Sequence, residues 1–321
     1  MRVLITGSSG QIGTNLGLTL MDRGDEVVGI DRRPNSWTDR IKTVQLDLLK
    51  AKYPSGGAGL GTPTNGAGDF PKGSFDVVIH LAAHAKVFEL VETPTRALEN
   101  VTSCFAALEF ARQRKIPFIF GSSREVYGDI NRHVTEEAEA DFVVAESPYS
   151  ASKIAGEAFI YSYAECYGLP YLVFRFSNVY GRFDNDLDRM ERVLPLFIKK
   201  IARNEPIVVF GREKVFDFTY IDDCIDGLIR GIDALIAGDV RNQTFNLAYG
   251  QGSTLVDAVN LIGLTLHKTP HVTYEPARVG EVMRYVADIS KARQLLGYDP
   301  QTPLTAGIPK SIAWAKEHSG L

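Results

Sequence analysis

Tyr149 and Lys153 stand four residues apart in Ser147-Pro148-Tyr149-Ser150-Ala151-Ser152-Lys153, a spacing that puts a phenol and an ammonium on one face of a helix. Such a pair can move protons. A phenol titrates near pH ~10, and a cation beside it favours the phenolate and brings that value toward neutrality. The same spacing also occurs on solvated helices that do no chemistry, so its meaning depends on the elements around it.

Two of those elements change the odds. The apolar run Val3-Leu4-Ile5 leads into Thr6-Gly7-Ser8-Ser9-Gly10-Gln11-Ile12-Gly13, then into Leu16, Leu20 and Met21 at helical spacing, the pattern of strand, glycine turn and helix. Glycines at this place let the backbone approach a pyrophosphate lying on the helix N-terminus. The spacing is Gly-x-x-Gly-x-x-Gly, and taken alone it also fits an ordinary tight turn. A second apolar strand, Glu26-Val27-Val28-Gly29-Ile30, ends at Asp31, which is placed to accept hydrogen bonds from an adenosine ribose. A carboxylate there repels a 2′-phosphate and favours NAD, with NADP the alternative left by Arg32 and Arg33. The second element is Phe118-Ile119-Phe120-Gly121-Ser122-Ser123, an apolar strand delivering hydroxyls at its carboxyl end, where ligands bind in open parallel sheets. Ser123 is thereby a candidate partner for Tyr149 and for a substrate hydroxyl.

Up to about residue 175 strands alternate with helices, near 2 to 6, 26 to 30, 42 to 46, 76 to 81, 116 to 121 and 170 to 176, which predicts a parallel doubly wound α/β sheet. Residues 1–176 are expected to form the cofactor domain and 177–321 mainly a smaller, partly interleaved substrate lobe. In that lobe helices are expected near Arg189 to Arg203, Tyr220 to Leu235 and Leu255 to Leu266, with strands at Pro206 to Phe210 and Thr244 to Leu247. The stretch from residue 55 to 73, rich in glycine, reads as a surface loop that shortens one crossover.

With 321 residues, 45% of them apolar, and a net charge of −4, the chain is expected to be a globular protein with no electrostatic footprint for nucleic acid. It has no apolar run of the ~20 residues that span a bilayer, and its first residues read as a strand rather than a signal peptide. The cytoplasm is the expected compartment. Cys104, Cys166 and Cys224 are scattered and read as small buried hydrophobes. His80 with His84, and His267 with His271, lack a third ligand nearby, so no metal site is expected.

Taken together, the glycine turn, Asp31, His80-Leu81-Ala82-Ala83, Ser122-Ser123, Tyr149 with Lys153, Asn178-Val179-Tyr180-Gly181, Asp217-Phe218-Thr219-Tyr220-Ile221-Asp222-Asp223 and Arg278-Val279-Gly280-Glu281 resemble the extended short-chain dehydrogenases/reductases. Within that family they are most similar to the nucleotide-sugar epimerases and dehydratases. The resemblance implies a Rossmann-type fold, NAD as cofactor and a homodimer formed through paired helices near Thr93 to Arg114 and Tyr149 to Tyr167. It also implies roles. Gly7, Gly10, Gln11, Ile12, Gly13, Asp31, Arg32, Asp47, Leu48, Leu81, Ala82, Ala83, Asn100, Ser122 and Phe176 would surround the cofactor together with Tyr149 and Lys153, and Lys153 would bond the nicotinamide ribose. Asn178 and Arg278 would hold the diphosphate of a sugar nucleotide, with Phe210 near its base. Many relatives carry an arginine where this chain has Phe216, so Arg278, or Lys214 or Arg212, would have to carry more of the diphosphate charge.

The implied first step is oxidation at C4 of the sugar, with Tyr149 taking the hydroxyl proton. A 4-epimerase then needs only Tyr149, Ser123 and room for the ketosugar to turn. Dehydratases of this group carry Asp-Glu where this chain has Arg124-Glu125, and a guanidinium is no general acid. Dehydration is disfavoured accordingly. Decarboxylation of a uronate needs no acid of that kind, because a 4-keto uronate is a β-keto acid; Arg124 would hold the C6 carboxylate and decarboxylating relatives retain the glutamate, the alternative being that Arg124 and Glu125 pair with other groups of the protein. The reading is an NAD-dependent 4-epimerase of a UDP-hexose or UDP-uronate. The alternatives are a UDP-glucuronate-type decarboxylase, an NDP-sugar dehydratase, or a catalytically silent nucleotide-binding regulator; the last is opposed by the complete set of Ser123, Tyr149 and Lys153.

Overall fold

The structure is a computed structural model and describes residues 1–51, 69–128, 145–184, 192–277 and 282–318. Arg278 and its motif lie outside the described residues, as does the glycine-rich loop up to residue 68. The chain begins with β1 (Arg2–Thr6), α1 (Gln11–Asp22), β2 (Glu26–Asp31), β3 (Lys42–Gln45), β4 (Val77–His80), α2 (Val87–Glu92), α3 (Thr95–Arg114), β5 (Phe118–Ser123), α4 (Pro148–Tyr167) and β6 (Tyr171–Phe176). These strands, joined by β10 (Gln243–Leu247), form a seven-stranded sheet in the order β10-β6-β5-β4-β1-β2-β3, and every pair in it is parallel. Parallel strands are buried on both faces. Val3 and Ile5 accordingly pack into one core with Leu16 and Leu20 of α1, while Leu4 faces the other with Leu108 and Phe110 of α3.

The strand order reverses between β1 and β4, so the connections after them leave toward opposite faces and open a crevice at the strand ends. The glycine turn, the end of β4 and the end of β5 all stop there. Helix α4 is set against this rim by its start and by its packing. Ser147 and Ser150 cap it reciprocally, with Pro148 in the first turn, and Gly156 lies so close to Phe120 that a Cβ would come within 2.6 Å of the ring.

The remaining elements are β7 (Asn178–Tyr180), α5 (Val193–Ala202), β8 (Ile207–Phe210), β9 (Val215–Tyr220), α6 (Ile221–Ala237), β11 (Gly252–Thr254), α7 (Leu255–Leu266), β12 (Val272–Glu275), α8 (Ser290–Leu296) and α9 (Leu304–His318). They form two small sheets, β11-β9-β7 and β12-β8, covered by α5, α7 and α9. Asp217 ties this lobe together by accepting from the backbone N–H groups of Tyr249, Gly250 and Ala287. The strand expected over Thr244 to Leu247 exists but belongs to the main sheet, paired with β6. Cys104 and Cys224 are buried as expected, whereas Cys166 is exposed, because it lies on the outer side of the last turn of α4.

Candidate active site

A cavity of about 690 Å³ runs along the crevice, from the glycine turn, Asp31, Arg32, Asp47 and Leu48 at one end, past Leu81, Ala82, Ala83 and Asn100, to Ser122, Ser123, Arg124, Glu125, Tyr149, Lys153, Phe176 and Asn178. Its cofactor end is built for close approach to backbone. A Cβ on Gly7 would sit 2.6 Å from the Ala82 nitrogen, and one on Gly13 only 2.3 Å from the Gly7 oxygen. Gly7 also adopts φ +75°, a conformation that side chains disfavour. Asp31 ends β2 with its carboxylate accepting from the N–H groups of Ser9 (3.1 Å) and Arg33 (3.2 Å). Burial raises its pKa from the ordinary carboxylate value. Asp47 caps the short helical turn Leu48–Lys50 by accepting from Leu49 N–H. Asn100 reaches from α3 to hold the His84 backbone, accepting from its N–H at 2.7 Å and donating to its carbonyl at 3.0 Å, and also bonds Ser152.

At the other end Tyr149 is 7% exposed and shares a hydrogen bond with Ser123. Burial pushes its phenol up to about 12; the Ser123 hydrogen bond and the guanidiniums of Arg192 and Arg124 oppose that rise, and the Glu125 carboxylate adds to it. Lys153 donates to the Gly121 carbonyl at 2.7 Å, with its ammonium 5.8 Å from the centre of the Tyr149 ring. Burial lowers its own pKa to about 8. Desolvation of the ring is the largest cause of the raised Tyr149 value and outweighs the groups that lower it.

These residues match a family. The chain belongs to the NAD-dependent epimerase/dehydratase family. Residues 3–248 match that family. YtcB of Bacillus subtilis, an uncharacterised UDP-glucose epimerase, is 30% identical over 98% of this chain and 98% of its own length. The UDP-glucuronate 4-epimerase of Thermodesulfobacterium geofontis is 28% identical over 98% of this chain and 96% of its own. Among solved structures, the UDP-glucose 4-epimerase of Thermotoga maritima with UDP-glucose superposes with a TM-score of 0.84 at 25% identity, covering 99% of both chains. The UDP-glucuronic acid 4-epimerase of Bacillus cereus, in complex with UDP-glucuronic acid and NAD, gives 0.83 at 25% identity, again over 99% of both.

Several residues named from the sequence have contacts away from the cavity. Ser122 lines the cavity, and its hydroxyl donates to Glu157 (2.5 Å) inside a buried Glu157–Arg175 pair. Phe210 does not line the cavity; it closes β8. Neither Lys214 nor Arg212 lines it: Lys214 is buried in the second lobe at 2% exposure, and Arg212 lies over the Tyr274 ring. His80 is buried between the Phe118 and Phe120 rings, bonded to Thr6 Oγ1 at 2.7 Å, while His84 pairs with Glu99. Arg192 and Asp184 also line the cavity and escaped the sequence reading. Arg192 binds Gln11 Oε1 (2.5 Å) and the Val179 carbonyl, and pairs with Asp184 at 3.2 Å, while burial raises Asp184 to about 7. Nothing in the local sequence signals that contact, because Gln11 and Arg192 are 181 positions apart.

Proposed function

We propose that this protein is an NAD-dependent UDP-sugar 4-epimerase. The observation that carries the reading is the continuity of one cavity, with an approachable glycine turn and Asp31 at one end and the hydrogen-bonded Ser123–Tyr149 pair at the other. The glycine turn fits a pyrophosphate, since Gly7, Gly10 and Gly13 line the cavity at the start of α1, where helix N–H groups without intrahelical partners bind anions. Gly7, Gly10, Gln11, Ile12 and Gly13 would hold that group, Asp31 and Arg32 the adenosine ribose, Asp47 and Leu48 the adenine, and Leu81, Ala82, Ala83 and Phe176 the remainder. Bound there, NAD would supply the hydride acceptor and return the same hydride.

The chain's own part is proton control. Tyr149 takes the proton from the C4 hydroxyl as the alcohol becomes a ketone, and gives it back after the ketosugar has turned. Ser123 positions the sugar oxygen. The buried ammonium of Lys153 provides positive charge beside the phenol. Asn178, whose buried side-chain nitrogen lacks a protein partner, would donate to the diphosphate, and residues 177–321 would form most of the substrate lobe.

The decisive assay offers UDP-glucose, UDP-N-acetylglucosamine and UDP-glucuronate in deuterated water with NMR readout. Inversion at C4 without deuterium at C5 is the expected result. Deuterium at C5 would refute it in favour of dehydration chemistry at Glu125, and release of carbon dioxide would mark a decarboxylase. A homodimer is also proposed. Helices α3 and α4 pack side by side, and Leu98 (69% exposed) and Tyr167 (58%) remain in solvent on them; light scattering checks this. A cytoplasmic location belongs to the same reading. No helix among the described residues is long and apolar enough to cross a membrane.

A further inference from the structure

The chain's two tryptophans, Trp37 and Trp314, meet across its two halves. Trp37 stands in the connection between β2 and β3 of the main sheet, and Trp314 on α9, a helix packed against α7 and β9. Their ring centres are 5.4 Å apart, and Phe183, in the turn after β7, completes a triangle at 5.7 Å from Trp37 and 5.6 Å from Trp314. The interplanar angles run from 53° to 74°, within the edge-to-face range in which aromatic rings attract. Phe183 adopts φ +60°, a left-handed conformation that a bulky side chain keeps only where its surroundings fix it. Trp37 and Phe183 line the cavity, whereas α9 lies behind them, outside its lining.

Two corners of the triangle are tied to the glycine turn and to α1. Asn35 accepts from the backbone N–H groups of Trp37 (2.9 Å) and Thr38 (3.3 Å), and its amide donates to the Ser8 carbonyl (3.2 Å) and to Thr14 Oγ1 (2.9 Å). Arg182, beside Phe183, donates to Asn15 of α1 at 2.7 Å, and Asp184 on the other side pairs with Arg192, which bonds Gln11 at the start of the same helix. Trp314 is the third corner and joins these ties to α9. Moving it away frees Trp37 and Phe183, and with them part of the wall beside the turn that faces the pyrophosphate. We propose that Trp37, Phe183 and Trp314 form a clasp through which α9 controls how long NAD is held, the three acting as positioning residues for the cofactor. This goes beyond the epimerase reading and rests only on its cofactor half. The coupling is reciprocal: whatever the docking of α9 contributes to NAD retention, bound NAD contributes to the docking of α9.

The reciprocal effect is read on the unsubstituted protein by backbone hydrogen exchange, with NAD bound and after its removal. NAD is expected to slow exchange across α9 by about threefold or more beyond any slowing in α8, which lines no part of the cavity. Equal slowing in the two helices would overturn the proposal. The forward effect is read as exchange of isotope-labelled NAD from the loaded protein into excess unlabelled NAD. Trp314→Ala is expected to release NAD about tenfold faster through the loss of two aromatic pairs, and Trp314→Phe, which keeps a ring, to stay within about threefold of the parent. Parental release from a folded Trp314→Ala would overturn the clasp, and so would equal acceleration in both variants, which assigns the effect to helix packing rather than to the rings. The hydrogen-exchange result decides the matter whether or not either variant folds. Inversion at C4 is followed alongside: the expected exchange pattern without inversion rejects the epimerase and keeps the clasp, whereas inversion with an α9 indifferent to NAD rejects the clasp alone.

Discussion

Lys153→Met tests the cost of the catalytic arrangement. The lysine titrates near 10.5 when solvated and near 8 in the folded protein, with burial the largest cause. A gap of about 2.5 pH units at about 1.4 kcal/mol each amounts to about 3 kcal/mol. The folded pKa lies below the unfolded one, so between pH 8 and 10.5 the unfolded chain alone holds the proton and stability rises with pH. Below 8 both states hold it, and the native protein bears the full penalty. Methionine keeps the length of the side chain and removes the charge, while forfeiting the bond to the Gly121 carbonyl, worth about 1 kcal/mol. The variant should therefore be about 1 to 2 kcal/mol more stable than the parent at pH 7, with that advantage gone by pH 10.5. Epimerisation should fall at least about a hundredfold. Urea unfolding of both proteins at half-unit steps from pH 7 to 10.5 gives the difference, in which titrations common to both cancel. A variant destabilised equally at every pH would refute the argument that the ammonium is held under desolvation stress.

Tyr149→Phe should bind NAD normally and lose turnover by about a hundredfold to ten-thousandfold; near-normal kcat would unseat the phenol as the proton carrier. Gly13→Ala forces a Cβ to 2.3 Å from the Gly7 oxygen and should weaken NAD at least about tenfold and cost about 1 to 3 kcal/mol, measured by cofactor titration and urea unfolding; unchanged affinity would remove the turn from the cofactor site. His80, depressed by burial to about 3, stays neutral when the unfolded chain takes up its proton, so stability should fall by about 1.4 kcal/mol per pH unit below about 6.5. His80→Asn should reduce that slope, and identical slopes between pH 4 and 6.5 would contradict it.

The first half of the fold was legible because each parallel strand is covered on both faces and reads as an apolar run, as in Val3-Leu4-Ile5. The second half was less so. Strands β7 and β11 span three residues each, too short to show a period, and Val272–Glu275 is mostly exposed. Placing Thr244–Leu247 in the smaller lobe followed chain order, whereas pairing with β6 is a long-range choice that no local pattern encodes. At the site, Ser123, Tyr149, Lys153 and the glycine turn were readable because each is local to one turn or helix. Arg192 and Asp184 were not, since their meaning comes from contact with α1. The pairing of Arg124 with Glu125 at 2.9 Å was equally hidden, as the rings that flank it are supplied by Phe216 and Tyr285.

The return of β10 to the edge of the main sheet means that the chain is stitched twice between its halves. During synthesis the nascent polypeptide must emerge well past residue 247 before the sheet carrying the glycine turn acquires its final strand. A fragment ending at residue 176 would present β6 as a bare ribbon edge, open to pairing with another copy. The cofactor half is therefore unsuited to separate expression, and swapping substrate halves between relatives demands two splice points on either side of the returning strand.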